Sequence, residues 1–170
     1  VIFAGSILEG DAEVTMTYTV ESSGRLHVDF SYEAQRDLPL IPRVGTEWHL
    51  PLEMNRVAWY GRGPDPTYPD RKFEPIGVYS TTVKEDWVDY SKPQENGNKV
   101  GVRWMTITDS DGFGLKVTGE VPLSCNVLPY TDETIQGTDY SWQLPPSERA
   151  VLNVDHAQMG IGGDNSWGAI

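Results

Sequence analysis

The sequence predicts an all-β protein folded as one domain over residues 1–170. Apolar residues recur at every second position in short runs, which is the period of a half-buried strand. Gly, Pro, Asn, Asp and Ser clusters separate those runs at close intervals, as in a β-sandwich or barrel. No stripe with a period of 3.6 extends beyond two turns, so helices have no substantial place.

The first strand is expected at 14–20, where Val14, Met16, Tyr18 and Val20 share one face and three threonines the other. A turn at 21–24 containing Gly24 leads into a second run, with Leu26, Val28, Phe30 and Tyr32 on its apolar side. The pair reads as a hairpin. Residues 36–46 hold Pro39, Pro42 and Gly45 and are expected to be an irregular connection. Further strands are expected at 48–52, 56–60 and 76–83. A long pair follows at 99–108 and 113–118, joined by a turn at 109–112. Val100, Val102 and Trp104 share a face in its first member, and Phe113, Leu115 and Val117 in its second. Short strands at 123–128 and 150–155 complete the set, with a single helical turn at 132–137.

Composition narrows the class. Net charge is −12, and a field of that sign repels phosphate backbones and anionic lipid, so neither nucleic acid nor a membrane surface is expected as a partner. No apolar run approaches the ~20 residues of a membrane-spanning helix. Cys125 is the single cysteine, which rules out a disulfide framework within the chain and reads as a buried structural thiol. Gly (17) and Pro (12) are spread as punctuation, and six tryptophans make an aromatic load that suits pleated sheets or sugar sites. A chain opening at Val1, with no initiator methionine, reads as a piece of a longer polypeptide.

No self-sufficient catalytic apparatus emerges from the residues. His27, His49 and His156 are isolated, without metal-ligand spacing. The 109–112 turn alternates acids but lacks the later ligands of a calcium loop. No nucleophile elbow, P-loop or dinucleotide fingerprint is present. The run of Gly160, Gly162 and Gly163 has no helix pattern after it. The many acids select no particular pair for glycoside hydrolysis.

Three segments stand apart from the strands, at 59–71, 93–97 and 159–167. Each mixes Gly or Pro with planar polar groups, and the first and last add aromatics. That mixture suits sugar recognition, in which amides and carboxylates bond hydroxyls and an aromatic face packs on C–H groups. From composition alone the favoured reading is loops that satisfy their own turns, with Trp167 as a core plug.

Four stretches together are distinctive: LIPRVG at 40–45, WYGRGPDPTYPDRK at 59–72, YSKPQENGNKVGVRW at 90–104, and HAQMGIGGDNSW at 156–167. In this order, over almost the whole chain, they resemble the C-terminal domain of bacterial β-galactosidases of glycoside hydrolase family 2, the small-chain or fifth domain. The resemblance implies a β-supersandwich of the galactose mutarotase type, lacking the last strands of the family domain. It implies a substrate-binding role in a larger enzyme whose catalytic glutamates sit on a separate TIM barrel. By motif position Trp167 is the residue lent to the pocket, where it stacks on the sugar, with Asp164 and Asn165 beside it. Arg62, Asp70, Arg71, Glu95 and Asn96 are expected to brace the loops.

The partners implied are a β-galactoside and the TIM barrel, in a homo-oligomeric parent enzyme, with neither bacterial cytoplasm nor periplasm selected. Cofactors are expected to be absent from this chain, since the family's metal ions are held mainly by other domains. Two departures stand out: Pro66 follows Asp65 where the family usually carries Glu, and Tyr140 replaces a histidine. The alternatives are a non-catalytic carbohydrate-binding module and, less favoured, a mutarotase-type aldose epimerase. The epimerase would need a His acid and a Glu base at one anomeric carbon.

Overall fold

The computed structural model describes residues 1–38 and 41–160. Its strands pair antiparallel in three sheets, so the chain is all-β as its sequence predicts. Contacts divide it into two compact units, Val1–Ile41 and Pro42–Ile170.

The first unit is a three-stranded sheet, β1 (Ile2–Ile7), β2 (Ala12–Val20) and β3 (Leu26–Ala34), in that spatial order. The expected hairpin is present: Val14 stands opposite Tyr32, Met16 opposite Phe30, Tyr18 opposite Val28 and Val20 opposite Leu26. One face is therefore apolar, while Thr15, Thr17, Thr19 and their partners line the other. The turn closes through a hydrogen bond from Glu21 N to Arg25 O (2.9 Å), with Gly24 at φ 85°. β1 is a strand the sequence pattern did not reveal, because Ile2, Phe3 and Ala4 run together without alternation. It extends the apolar face by placing Phe3 opposite Met16, and the Phe3 and Tyr18 rings meet edge to face at 5.9 Å.

The second unit holds two four-stranded sheets. One is ordered β4 (Arg43–Pro51), β11 (Arg149–Gln158), β10 (Leu123–Leu128), β7 (Lys99–Val102). The other is β6 (Ile76–Thr82), β5 (Arg56–Arg62), β8 (Trp104–Thr108), β9 (Gly114–Val117). A shared core of Leu50, Val57, Trp59, Val102, Met105, Ile107, Cys125, Val127 and Leu152 packs between them. Cys125 is wholly buried there, and burial pushes its thiol pKa far up, as suits an inert structural cysteine. Two short helices, α1 (Val83–Asp86) and α2 (Asp132–Gln136), complete the unit. α1 is fixed by a capping box in which Thr82 and Glu85 exchange bonds.

Three expectations change. β4 begins at Arg43, inside the segment expected to be irregular, because Pro42 lies just before the paired residues. The strand expected at 99–108 is two strands in different sheets, divided at Arg103. Gly101 takes φ 66° and Arg103 N bonds Tyr60 O (2.8 Å), which carries the chain across. Consequently Trp104 does not share the face of Val100 and Val102; Met105 and Ile107 point into the core instead. Phe113 lies outside β9 and is 72% exposed. The turn before it is held as expected, with Asp109 Oδ1 accepting from Asp111 N and Phe113 N.

Candidate functional site

The sheet β4-β11-β10-β7 has two unlike faces. Cys125, Val127, Leu152 and Val154 contribute to the core, and their odd-and-even neighbours therefore turn the other way. Those neighbours are Ser124 and Asn126 on β10 and Asn153 and Asp155 on β11, all buried. Buried polar groups are costly unless bonded, and here they bond one another and the segments laid across them. Gln158 donates to Ser124 Oγ (2.7 Å), which donates to Asn98 Oδ1 (3.0 Å), and Asn98 Nδ2 donates to Thr67 O (2.8 Å). Alongside, Asn153 donates to Asn126 Oδ1 (2.8 Å), and Asn126 donates to Glu95 Oε1 (2.6 Å). α2 seals one end of this face by packing Ile135 on Leu128 and Val151.

The second of these hydrogen-bond relays ends at Arg43. Its Nε donates to Asp155 Oδ1 (2.8 Å), and its Nη1 donates to Glu95 Oε2 (3.0 Å) and Asp132 Oδ2 (3.4 Å). Burial disfavours the guanidinium, but the bond to Asp155 and the charges of Glu95 and Asp132 outweigh that, so its pKa rises. Burial lifts the pKa of Glu95 and of Asp155, and Arg43 pulls each part of the way back. Gly45 has to lack a side chain, since an added Cβ would collide with the Asp155 carboxylate and come within 2.6 Å of Val154 O. A cleft of about 200 Å³ opens beside Arg43, Thr46 and Asn153. Asp155 Oδ2, on its wall, has no hydrogen-bond partner among the described residues.

The loop after β5 reaches the same side. Arg62 Nη1 donates to Lys72 O (3.0 Å) and Glu74 O (2.8 Å), and Arg71 Nη2 donates to Pro66 O (3.0 Å). Tyr68 and Arg71 exchange backbone bonds, and burial pushes the Tyr68 hydroxyl up to about 12. Thr67 Oγ1 accepts from Val100 N (3.0 Å). The Asp70 carboxylate lies over Gly160, where φ is 94° and an added Cβ would stand 2.8 Å from Asp70 Cγ. Asn96 pins its own loop by accepting from Val88 N and donating to Val88 O and Gln94 O. Lys99, 1% exposed, donates to both oxygens of Asp86 and to Gly97 O, with its ammonium 5.0 Å from the Trp59 ring. Burial lowers the Lys99 pKa and raises that of Asp86, and their attraction opposes both shifts.

The segments at 42–45, 59–72, 90–104 and 156–160 thus meet on one polar sheet face. A family model described as beta galactosidase small chain matches residues 2–170. The chain belongs to the β-galactosidase small-chain family. It is 39% identical over 160 residues to Beta-galactosidase BgaC of Bifidobacterium adolescentis, covering 91% of this chain and 15% of that protein. It is 36% identical over 159 residues to a beta-galactosidase of Priestia megaterium, covering 93% of this chain and 15% of that one. A beta-galactosidase of Streptococcus thermophilus is 34% identical over 161 residues, 94% of this chain and 16% of its own length. The chain therefore spans about 15% of the length of the curated relatives it matches.

Of the loop residues expected from the sequence, Arg62 and Arg71 bond carbonyls within the 62–74 stretch, Asp70 lies against Gly160, Glu95 holds the 87–98 segment to the sheet through Asn126, and Asn96 bonds within that segment. Asp164, Asn165 and Trp167 lie outside the described residues. Sequence reasoning missed two groups, Arg43 with Asp132 and Asp155, and the separate pair Lys99 and Asp86. A signal was present: polar residues at alternate places in SCNVL and VLNVD mark a second sheet face that is buried yet not apolar. Among the described residues, no group of three or more His, Cys, Asp or Glu is arranged to hold a metal ion.

Proposed function

We propose that the chain is the sugar-binding domain of a β-galactosidase, closing one side of a pocket whose acid/base and nucleophile glutamates belong to another domain of the same polypeptide. One observation carries this reading: the family's sequence stretches converge on the exit of β11, where Gly160 leads towards the Ser-Trp run. A segment leaving a cross-braced platform is suited to hold an aromatic ring at a fixed place. Trp167 then packs on the C–H face of the galactoside or its acceptor sugar, and Asp164 and Asn165 bond hydroxyls. Glycines at 160, 162 and 163 allow the tight backbone this requires.

The carboxylates gathered at the site are unsuited to cleave a glycosidic bond. A retaining glycosidase needs two carboxyl groups ~5–5.5 Å apart facing the bond, one protonated and one free to attack. Glu95, Asp132 and Asp155 are instead engaged with Arg43. Hydrolysis is accordingly assigned to a barrel domain, and any metal ions to sites outside this chain.

The test is Trp167→Ala in the full-length enzyme. Stacking is worth about 1–2 kcal/mol at ~25 cal/mol per Å², so KM for a disaccharide should rise roughly tenfold. Trp167→Phe should recover part of the loss. Unaltered disaccharide kinetics in Trp167→Ala would remove the basis for the reading.

A further inference from the structure

We propose that Arg43 is a positioning residue for substrate binding, gripping the end of β11 on both sides of a bulge and so fixing Met159 and Gly160 where the strand ends. The inference rests on the reading of Trp167 as a sugar contact.

β11 carries an extra residue at His156: Asp155 pairs with Gly45, but Ala157 pairs with Val44. A bulge of this kind bends the strand and re-aims the residues beyond it. Arg43 holds the strand before the bulge through its side chain, by the bond to Asp155 (2.8 Å). It holds the strand after the bulge through its backbone, which is paired with Gln158. Met159 N bonds Pro42 O (2.9 Å) directly beyond, and Gly160 meets Asp70. The same guanidinium bonds Glu95 from the 87–98 segment and Asp132 from α2.

Stability alone is a poor explanation for such a cluster. Three carboxylates share one guanidinium in a largely buried place, and apolar residues of similar volume often do as well or better energetically. What the arrangement supplies is geometry. The planar fork fixes directions that a flexible ammonium cannot. Gly45 supports this, because any side chain there would push Asp155 off the guanidinium.

The experiment is a double-mutant cycle in the full-length enzyme, measuring KM and kcat with a disaccharide. Arg43→Met and Gly45→Ala should each raise KM about fivefold, well inside the ~100-fold that a 1 Å misplacement can cost. Values of kcat should stay within about twofold. Arg43→Lys should recover only part of the KM loss. Combined with Trp167→Ala, neither Arg43→Met nor Gly45→Ala should raise KM further, because both act through the same ring. KM effects that multiply, or an unchanged KM in Arg43→Met, would overturn the proposal. Should Arg43→Met fail to fold, Gly45→Ala and Arg43→Lys carry the same cycle. If Trp167→Ala itself leaves KM unchanged, it is the reading of Trp167 that falls.

Discussion

Replacing Lys99 by Met removes a buried charge and keeps most of the stem. The ammonium lies 2.8 and 3.1 Å from the two Asp86 oxygens and 2.9 Å from Gly97 O. The Lys99 side chain is 1% exposed and that of Asp86 16%, so solvent does little to replace the lost partner. Breaking a buried pair from one side costs about 3–5 kcal/mol, because the remaining charge is left uncompensated. For a chain of this size that is a fall in Tm of about 6–20 °C. Changing both partners, Lys99→Met with Asp86→Leu, removes the stranded charge and should bring stability back to within about 1 kcal/mol of the parent. The sign of the pH dependence is fixed by the same burial. Burial already raises the Asp86 pKa against the pull of Lys99, and without Lys99 it climbs further. A carboxyl whose folded pKa is raised adds stability below the ordinary carboxylate range and loses it as pH rises through the raised value. The deficit of Lys99→Met should therefore be smaller near pH 4 than near pH 8. Urea unfolding of the chain, followed by tryptophan emission, measures all three quantities. A loss under about 1 kcal/mol, a deficit independent of pH, or a double variant no better than the single would refute the reasoning.

Cys125 should resist thiol reagents in the folded chain and react only on unfolding, since it is fully buried with its thiolate disfavoured; mass spectrometry of a timed labelling experiment checks this. Gly160→Ala should lower Tm by forcing a side chain into a φ of 94° against the Asp70 carboxylate, with strain of about 1–3 kcal/mol. In Asp70→Ala that collision is gone, so the added cost of Gly160→Ala should shrink. Arg43→Gln should make stability fall more steeply as pH rises from about 4 to 7, because Glu95 and Asp155 lose the charge that offsets their burial; thermal melts across that range report it.

The N-terminal hairpin was legible because Val14 to Val20 and Leu26 to Tyr32 alternate strictly, and alternation is a local property of a strand with one apolar face. β1 was not, since its apolar residues are consecutive and only its pairing with β2 defines it. The break at Arg103 was invisible for another reason. Val100, Val102 and Trp104 keep the same parity in sequence, but parity loses its meaning once Gly101 turns to φ 66° and the chain changes sheets. In the site, the resemblance pointed to the loops carrying Arg62, Asp70, Arg71, Glu95 and Asn96. It did not point to Arg43, whose partners at 95, 132 and 155 are far apart in the chain and are brought together only by the fold. Lys99 stayed hidden because a lysine in a strand ordinarily signals solvent, and here its charge is matched by Asp86 from α1.

The decisive measurement is turnover of a chromogenic β-galactoside by the 170-residue chain alone, set against the proposed full-length β-galactosidase. The expected result is a rate equal to buffer for the chain alone and clear hydrolysis by the full enzyme. Turnover that co-purifies with the isolated chain and disappears in Glu95→Gln or Asp155→Asn would contradict the assignment of binding here and catalysis elsewhere.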